Sequence, residues 1–292
     1  MEEKIHLNGV IVPRPRALIS VFDHAFLYGY GLYETMRAYN GKIFLLERHI
    51  ARMMKSAGIV RLAEKLAGLD LIKVCKETLA ANDLLEARIR LTVSNGDSDT
   101  APWVDNPGAP TIVVTARPYM PFSVKKYEEG FKLGITKEKR CRQSMVDTLK
   151  SVNHLASAMA RMEAATNGMD EALLLNDGGY IAEGGGCNIF FIESAALVTP
   201  PLDSGILPGV TREVIVEMAS GLGISVKEVD IKPEGLERFD EAFVTNAMIE
   251  VMPVTAVREA NGRVVTIGSG KPGTVTRRLM EAYREKVERE TR

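Results

Sequence analysis

Two Asn-Gly steps constrain how the first part of this chain can pair. Asn8-Gly9 splits IHLNGVIV, and Asn40-Gly41 separates LYETMRAY from KIFLLE. Both dipeptides accept the positive φ angles of a two-residue hairpin, and strand-like alternation flanks each one. The chain therefore opens as antiparallel sheet. Helical spacing enters at ERHIARMMKSAG, expected to stop at Gly58, and again over Leu62 to about Ala81. Strands follow at ARIRLTV and TIVVTA, and then RPYMPFSVKKYEEG, with two prolines and a charge cluster, reads as an exposed connection.

Beyond it, FKLGIT predicts a strand, a polar loop runs through Lys150, and a helix covers about Ser151 to Asn167, closed by Gly168. EALLL and CNIFFI read as strands flanking a turn at Asn176-Asp177-Gly178-Gly179. A helix starts after Pro208-Gly209, the strand EAFVT ends near Asn246, and a last helix covers about Val275 to Glu290. Strands and helices mix without regular βα alternation, which predicts two α+β domains rather than a doubly wound sheet. The expected division is a small N-terminal domain over 1–118, a linker over 119–127 and a larger C-terminal domain over 128–292.

Composition narrows the function classes. The 292 residues carry a formal charge of −1, so no global field draws the chain to nucleic acid or an anionic membrane. The segment MEEKIHLNG is acidic and poor in apolar residues, unlike a secretory signal. No run approaches the roughly 20 apolar residues of a membrane span. Cys75, Cys141 and Cys187 lie far apart without metal-type spacing, and their odd number suits a reducing cytoplasm. No metal site is expected.

A P-loop, HExxH, GxSxG and paired CxxC are all missing, so the chemistry must be read from scattered residues. Tyr33, Thr35 and Arg37 share one face of a strand, as do Arg88, Arg90 and Thr92 of another. Hydroxyls and guanidinium groups on one face suit a carboxylate, although a solvated strand face has the same pattern. Arg52 follows His49 by three residues and lies on the same side of a helix. Lys150 stands between a polar loop and an apolar helix, and would become nucleophilic only if burial lowered its pKa. Glu183 precedes Gly184-Gly185-Gly186, which would let backbone approach a bound group. In LPGVTR, free N–H groups of Val210 and Thr211 at a helix start could hold a phosphate.

Taken in order, FLYGYGLYETMRAYNGKIFLLERHIARM, LKSVN, YIAEGGGCNIF, LVTPPLDSGILPGVTR and VTNAMIEVMPV resemble the class IV (fold type IV) pyridoxal-phosphate family. That family holds branched-chain aminotransferases, D-amino-acid aminotransferases and 4-amino-4-deoxychorismate lyases. The resemblance runs from about Asp23 to about Val254. It implies a small α/β domain and a larger one with pyridoxal 5'-phosphate between them, in a homodimer. It implies that Lys150 forms the Schiff base and moves the proton, and that Glu183 pairs with the pyridine nitrogen. Arg52, Val210 and Thr211 would take the phosphate, and the turn Asn246-Ala247-Met248 would border phosphate and substrate. Tyr33, Thr35, Arg37, Arg88 and Arg90 would face the substrate with Ala247 and Met248. The implied activity is transfer of an amino group between an amino acid, branched-chain L-amino acids first, and a 2-oxo acid. Thr35 and the run ARIRL instead resemble the lyase subgroup, which forms 4-aminobenzoate and pyruvate. A D-amino-acid aminotransferase is the third alternative.

Overall fold

The computed structural model describes residues 2–104 and 108–292. They form two compact units, one made of Met1–Met120, Leu149–Asn153 and Val287–Arg292, the other of Pro121–Thr148 and His154–Lys286. Neither unit is continuous in sequence, so one cut at a linker does not describe the division. No helix among the described residues is long and apolar enough to cross a membrane.

The first unit contains β1 (Lys4–Leu7), β2 (Val10–Pro13), α1 (His24–Tyr28), β3 (Gly31–Tyr39), β4 (Lys42–Ile43), α2 (Leu46–Ile59), α3 (Ala63–Leu66), α4 (Leu71–Ala81), β5 (Ala87–Ser94) and β6 (Thr111–Pro118). Its six strands run in the order β2-β1-β6-β5-β3-β4. Both expected hairpins form, with positive φ at Asn8, Gly9, Asn40 and Gly41. Alternation on β3 and β5 sends Leu32, Met36, Ile89, Leu91 and Val93 into one core, where Met53 and Ala57 of α2 and Leu71 and Leu79 of α4 meet them. Two helix boundaries differ from expectation. α2 continues through Gly58 to Ile59. The single helix read over Leu62 to Ala81 is two, because Gly68 takes φ 84° and Asp70 caps a new start by accepting the Lys73 N–H at 2.9 Å.

The short segment Leu149–Asn153 belongs to this unit because its backbone pairs with β3. Tyr33 N–H donates to Lys150 O at 2.9 Å, and Val152 N–H donates to Gly31 O at 3.0 Å. The Asn153 amide then donates to Gly29 O at 3.0 Å. Gly29 has φ 68°, and a Cβ there would overlap the Asn153 side chain. The helix expected from Ser151 starts only at Leu155, since the three residues before His154 are held in this pairing.

The second unit holds α5 (Val124–Glu129), β7 (Phe131–Arg140), α6 (Met145–Thr148), α7 (Leu155–Thr166), β8 (Glu171–Asn176), β9 (Ile181–Gly184), β10 (Asn188–Glu193), β11 (Ala196–Thr199), α8 (Val210–Gly221), β12 (Val226–Glu228), β13 (Glu241–Asn246), β14 (Glu250–Arg258), β15 (Val264–Thr266) and, as far as Lys286, α9 (Thr274–Thr291). Eight strands follow the order β12-β11-β10-β13-β14-β7-β8-β9, and β15 pairs with β14. β7 is parallel to both neighbours, whereas β10, β13 and β14 are antiparallel, so the sheet is mixed, as in an α+β protein. Its core joins Leu133, Leu173, Ile189 and Met252 to the stacked rings of Phe191 and Phe239. The stretch read as a loose linker contains α5. Ser123 caps that helix, and buried Tyr127 donates from its hydroxyl to Ile249 O at 3.1 Å. The turn after β8 leads into β9, which pairs Leu174 with Glu183.

Candidate functional site

In the first unit the half-buried Lys150 is pinned through its backbone to β3, and its Nζ lies 3.2 Å from the Tyr33 hydroxyl. The amine is 4.5 Å from the Tyr33 ring centroid, and the Arg90 guanidinium is 4.0 Å from the same centroid. Burial pushes the Tyr33 phenol above its ordinary pKa, opposed first by the positive charge of Arg90. Burial also pushes Arg90 down. Strand register sets the rest of this face: Tyr33 lies opposite Thr92, Thr35 opposite Arg90, and Arg37 opposite Arg88. Tyr33, Arg90 and Lys150 are thus brought together, with Thr35 alongside. Arg37 stands roughly 13 Å further along the strand from Tyr33. Its guanidinium is 4.2 Å from the Tyr39 ring centroid and 4.9 Å from that of Tyr119, and it pairs with Glu86 at 3.6 Å. Arg88 is exposed.

Arg52 points into a different arrangement. Glu34 alternates onto the core face of β3 between Leu32 and Met36, and its side chain is 0% exposed. An apolar side chain in that position would contribute roughly 2 kcal/mol. A buried carboxylate costs several kcal/mol unless it is paired. Arg52 answers with a fork, Nε to Glu34 Oε1 at 2.8 Å and Nη2 to Oε2 at 2.6 Å. His49 Nδ1 is 2.8 Å from Glu34 Oε2. Burial alone would raise the Glu34 pKa, but Arg52 and His49 together hold it down at about 2. His49 is lowered by burial, with Glu34 opposing and the charges of Arg52 and Lys150 adding to the lowering.

In the second unit Glu183 ends β9 with 3% exposure. Arg140 Nη2 lies 3.0 Å from its Oε1. Its Oε2 accepts the Leu207 N–H at 3.1 Å and the Asn188 amide at 3.3 Å. Arg140 also reaches Asp147 at 3.7 Å and donates to Ser157 Oγ at 3.2 Å. Asn188 in turn donates to Leu207 O at 3.0 Å, and a Cβ on Gly209 would overlap its side-chain oxygen. Gly209 therefore allows α8 to begin close beside the Glu183 cluster. Val210 and Thr211 are buried, and no side chain caps this helix start.

The other expected residues take more specific parts. Asn246 spends its side chain on the turn: Oδ1 accepts the N–H groups of Met248 and Ile249, and Nδ2 donates to Gly186 O at 2.8 Å. Ala247 and Met248 are half-buried in that turn. Among the three glycines, a Cβ at Gly184 would strike Cys187, and one at Gly185 would come within 2.6 Å of Arg161. The protein's own side chains thus fill the space beside Gly184 and Gly185, whereas a Cβ at Gly186 would stand 3.7 Å from the Arg161 side chain.

The amino-transferase class IV family matches residues 31–257. The chain belongs to that family. A Methanocaldococcus jannaschii protein, provisionally named a branched-chain-amino-acid aminotransferase, is 38% identical over 283 residues, covering 97% of this chain and 96% of that one. The aminodeoxychorismate lyase of Bacillus subtilis is 32% identical over 285 residues, covering 97% and 94%. Among solved structures, the T.th. branched-chain amino acid aminotransferase complexed with N-(5'-phosphopyridoxyl)-L-glutamate has a TM-score of 0.87 at 31% identity, covering 100% of this chain and 96% of that one. The fold is that of the fold type IV class IV aminotransferases.

Sequence reasoning missed the partners in this class IV chain more often than the principals. Glu34 carried a legible signal, an acid at an apolar position of the alternation with His49 and Arg52 ahead on one helix face. Arg140 carried none, since KEKR reads as an ordinary charge run, and Asn188 stood inside CNIFFI as a strand residue. Chemically, the first unit offers an amine beside a phenol and a guanidinium. The second offers a buried carboxylate, balanced by an arginine, near an uncapped helix start.

Proposed function

We propose that this class IV aminotransferase uses pyridoxal 5'-phosphate to exchange an amino group between branched-chain L-amino acids and a 2-oxo acid. The observation that carries this reading is the Lys150 amine, held within 3.2 Å of the Tyr33 hydroxyl by backbone pairing to β3. The residue types fit the cofactor. An amine suits its aldehyde, the buried Glu183 carboxylate suits a protonated ring nitrogen, and Arg52 with the uncapped start of α8 suits its phosphate. When bound, the cofactor supplies an aldehyde and an electron-accepting ring. Lys150 Nζ takes and returns the substrate Cα proton, and the Tyr33 hydroxyl orients that amine. Arg140, Asn188 and the Leu207 N–H hold the Glu183 carboxylate in place. Arg90 and Thr35, opposite each other in register, face the substrate carboxylate.

The test is an amino-donor screen read by the absorbance of the bound cofactor. Leucine, isoleucine and valine are expected to shift the spectrum, and a 2-oxo acid to shift it back. Thr35 beside Arg90 favours a second reading, aminodeoxychorismate lyase, which the same screen separates. If no amino acid moves the spectrum and aminodeoxychorismate yields pyruvate, the transaminase reading fails.

The enzyme is proposed to work in the cytoplasm as a homodimer or higher homo-oligomer. Its three cysteines are unpaired, which suits a reducing compartment. The stretch 18–28 exposes Leu18, Val21 and Phe26 at 77%, 62% and 68%, apolar surface of the kind that a partner subunit covers. Sedimentation equilibrium is expected to give at least twice the 32.0 kDa chain mass. A single-chain mass at micromolar concentration would remove this part of the reading.

A further inference from the structure

We infer that Glu34 is a positioning residue that presets the Arg52 guanidinium for the cofactor phosphate. The inference rests on the reading that Arg52 meets that phosphate. Glu34 itself is sealed in the core, with no exposed side-chain surface, and so touches neither substrate nor cofactor. Its two oxygens take the Nε and Nη2 edge of Arg52 in a bidentate fork, which fixes the guanidinium plane as well as its position. His49, 3% exposed, braces the same carboxylate from the second side at 2.8 Å, which removes the remaining rotation of the fork.

The arrangement lies close to the reactive amine within the first unit. Arg52 is near enough to lower the Tyr33 phenol, and Lys150 near enough to lower His49. Two effects oppose each other at Arg52. The negative charge of Glu34 cancels part of the attraction for an anion, whereas the fork fixes the plane and position of the guanidinium. In a dry site aim dominates, because an anion must be met by donors already in place, and reorganising a long cationic side chain costs rotamer entropy. Removing Glu34 should therefore weaken phosphate recognition, although it adds net positive charge.

The experiment compares pyridoxal 5'-phosphate with pyridoxal, which lacks the phosphate, by equilibrium binding to the full-length apoenzyme. The readout is the ratio of the two dissociation constants. Loss of one well-aimed charged hydrogen bond should lower this ratio by roughly tenfold or more in Glu34→Gln. Glu34→Asp keeps the charge but shortens the reach, so it should lower the ratio similarly and serves if the glutamine variant does not fold. Arg52→Lys is the control. If Arg52→Lys lowers the ratio and both Glu34 variants leave it unchanged, the positioning role is overturned while the phosphate reading stands. If Arg52→Lys also leaves it unchanged, the underlying reading falls and the inference with it. A Glu34 variant that weakens both ligands equally marks a purely structural residue, and likewise overturns the proposal.

Discussion

Replacing Lys150 with alanine is expected to lower transamination by at least about 10⁴-fold while leaving measurable binding of pyridoxal 5'-phosphate. The size follows from the two duties proposed for one nitrogen, attachment of the cofactor and movement of the Cα proton, neither of which a methyl group can perform. The fold should survive, because β3 holds residue 150 through its carbonyl oxygen and the Tyr33 N–H. Initial rates with leucine and a 2-oxo acid, a melting curve and equilibrium dialysis of the cofactor check the three parts. Retention of a tenth of the wild-type rate would show that another group carries the proton.

Glu183→Gln is expected to act on rate and stability together. A neutral amide supports a protonated ring nitrogen poorly, and loss of one such electrostatic partner costs roughly 10²- to 10³-fold in turnover. The structure adds a second cost. Arg140 lies 3.0 Å from Glu183 with its side chain 14% exposed, and losing that carboxylate leaves it the longer 3.7 Å pairing with Asp147, at a cost of roughly 1–3 kcal/mol. The variant should therefore melt lower than wild type as well as react slowly. The double variant Arg140→Gln, Glu183→Gln removes both charges and should recover part of the stability but none of the rate. Recovery of rate in the double variant would show that the ring does not depend on the Glu183 charge.

What could be read from sequence was whatever depends on neighbours along the chain. The Asn8-Gly9 and Asn40-Gly41 turns, the alternation on β3 and β5 and the start of α8 are all local, and each lies where the residues indicate. The errors fall where a distant partner decides. Ser151 to Asn153 look like helix, yet they pair with the start of β3. Val124 to Glu129 look like linker, yet Tyr127 anchors them to Ile249. The bounds of β9 are likewise set from a distance, because four residues after a glycine turn carry little periodicity of their own and β8 makes them a strand. At the site the same rule holds. Lys150, Glu183 and Arg52 belong to recognisable blocks, whereas Arg140 acquires its meaning only from the carboxylate it faces.

The attachment of Lys150 to β3 also bears on how the chain matures. That pairing joins Tyr33 and Lys150, which stand 117 positions apart in sequence. Closure entropy rises with loop length, and contacts so far apart in sequence form after the local hairpins and helices. The lysine segment is therefore among the late arrivals in folding, docking onto a sheet edge that must already exist. If Lys150 carries the cofactor as proposed, its amine is in place only once this pairing has formed, and loading is expected to report that the first unit is complete.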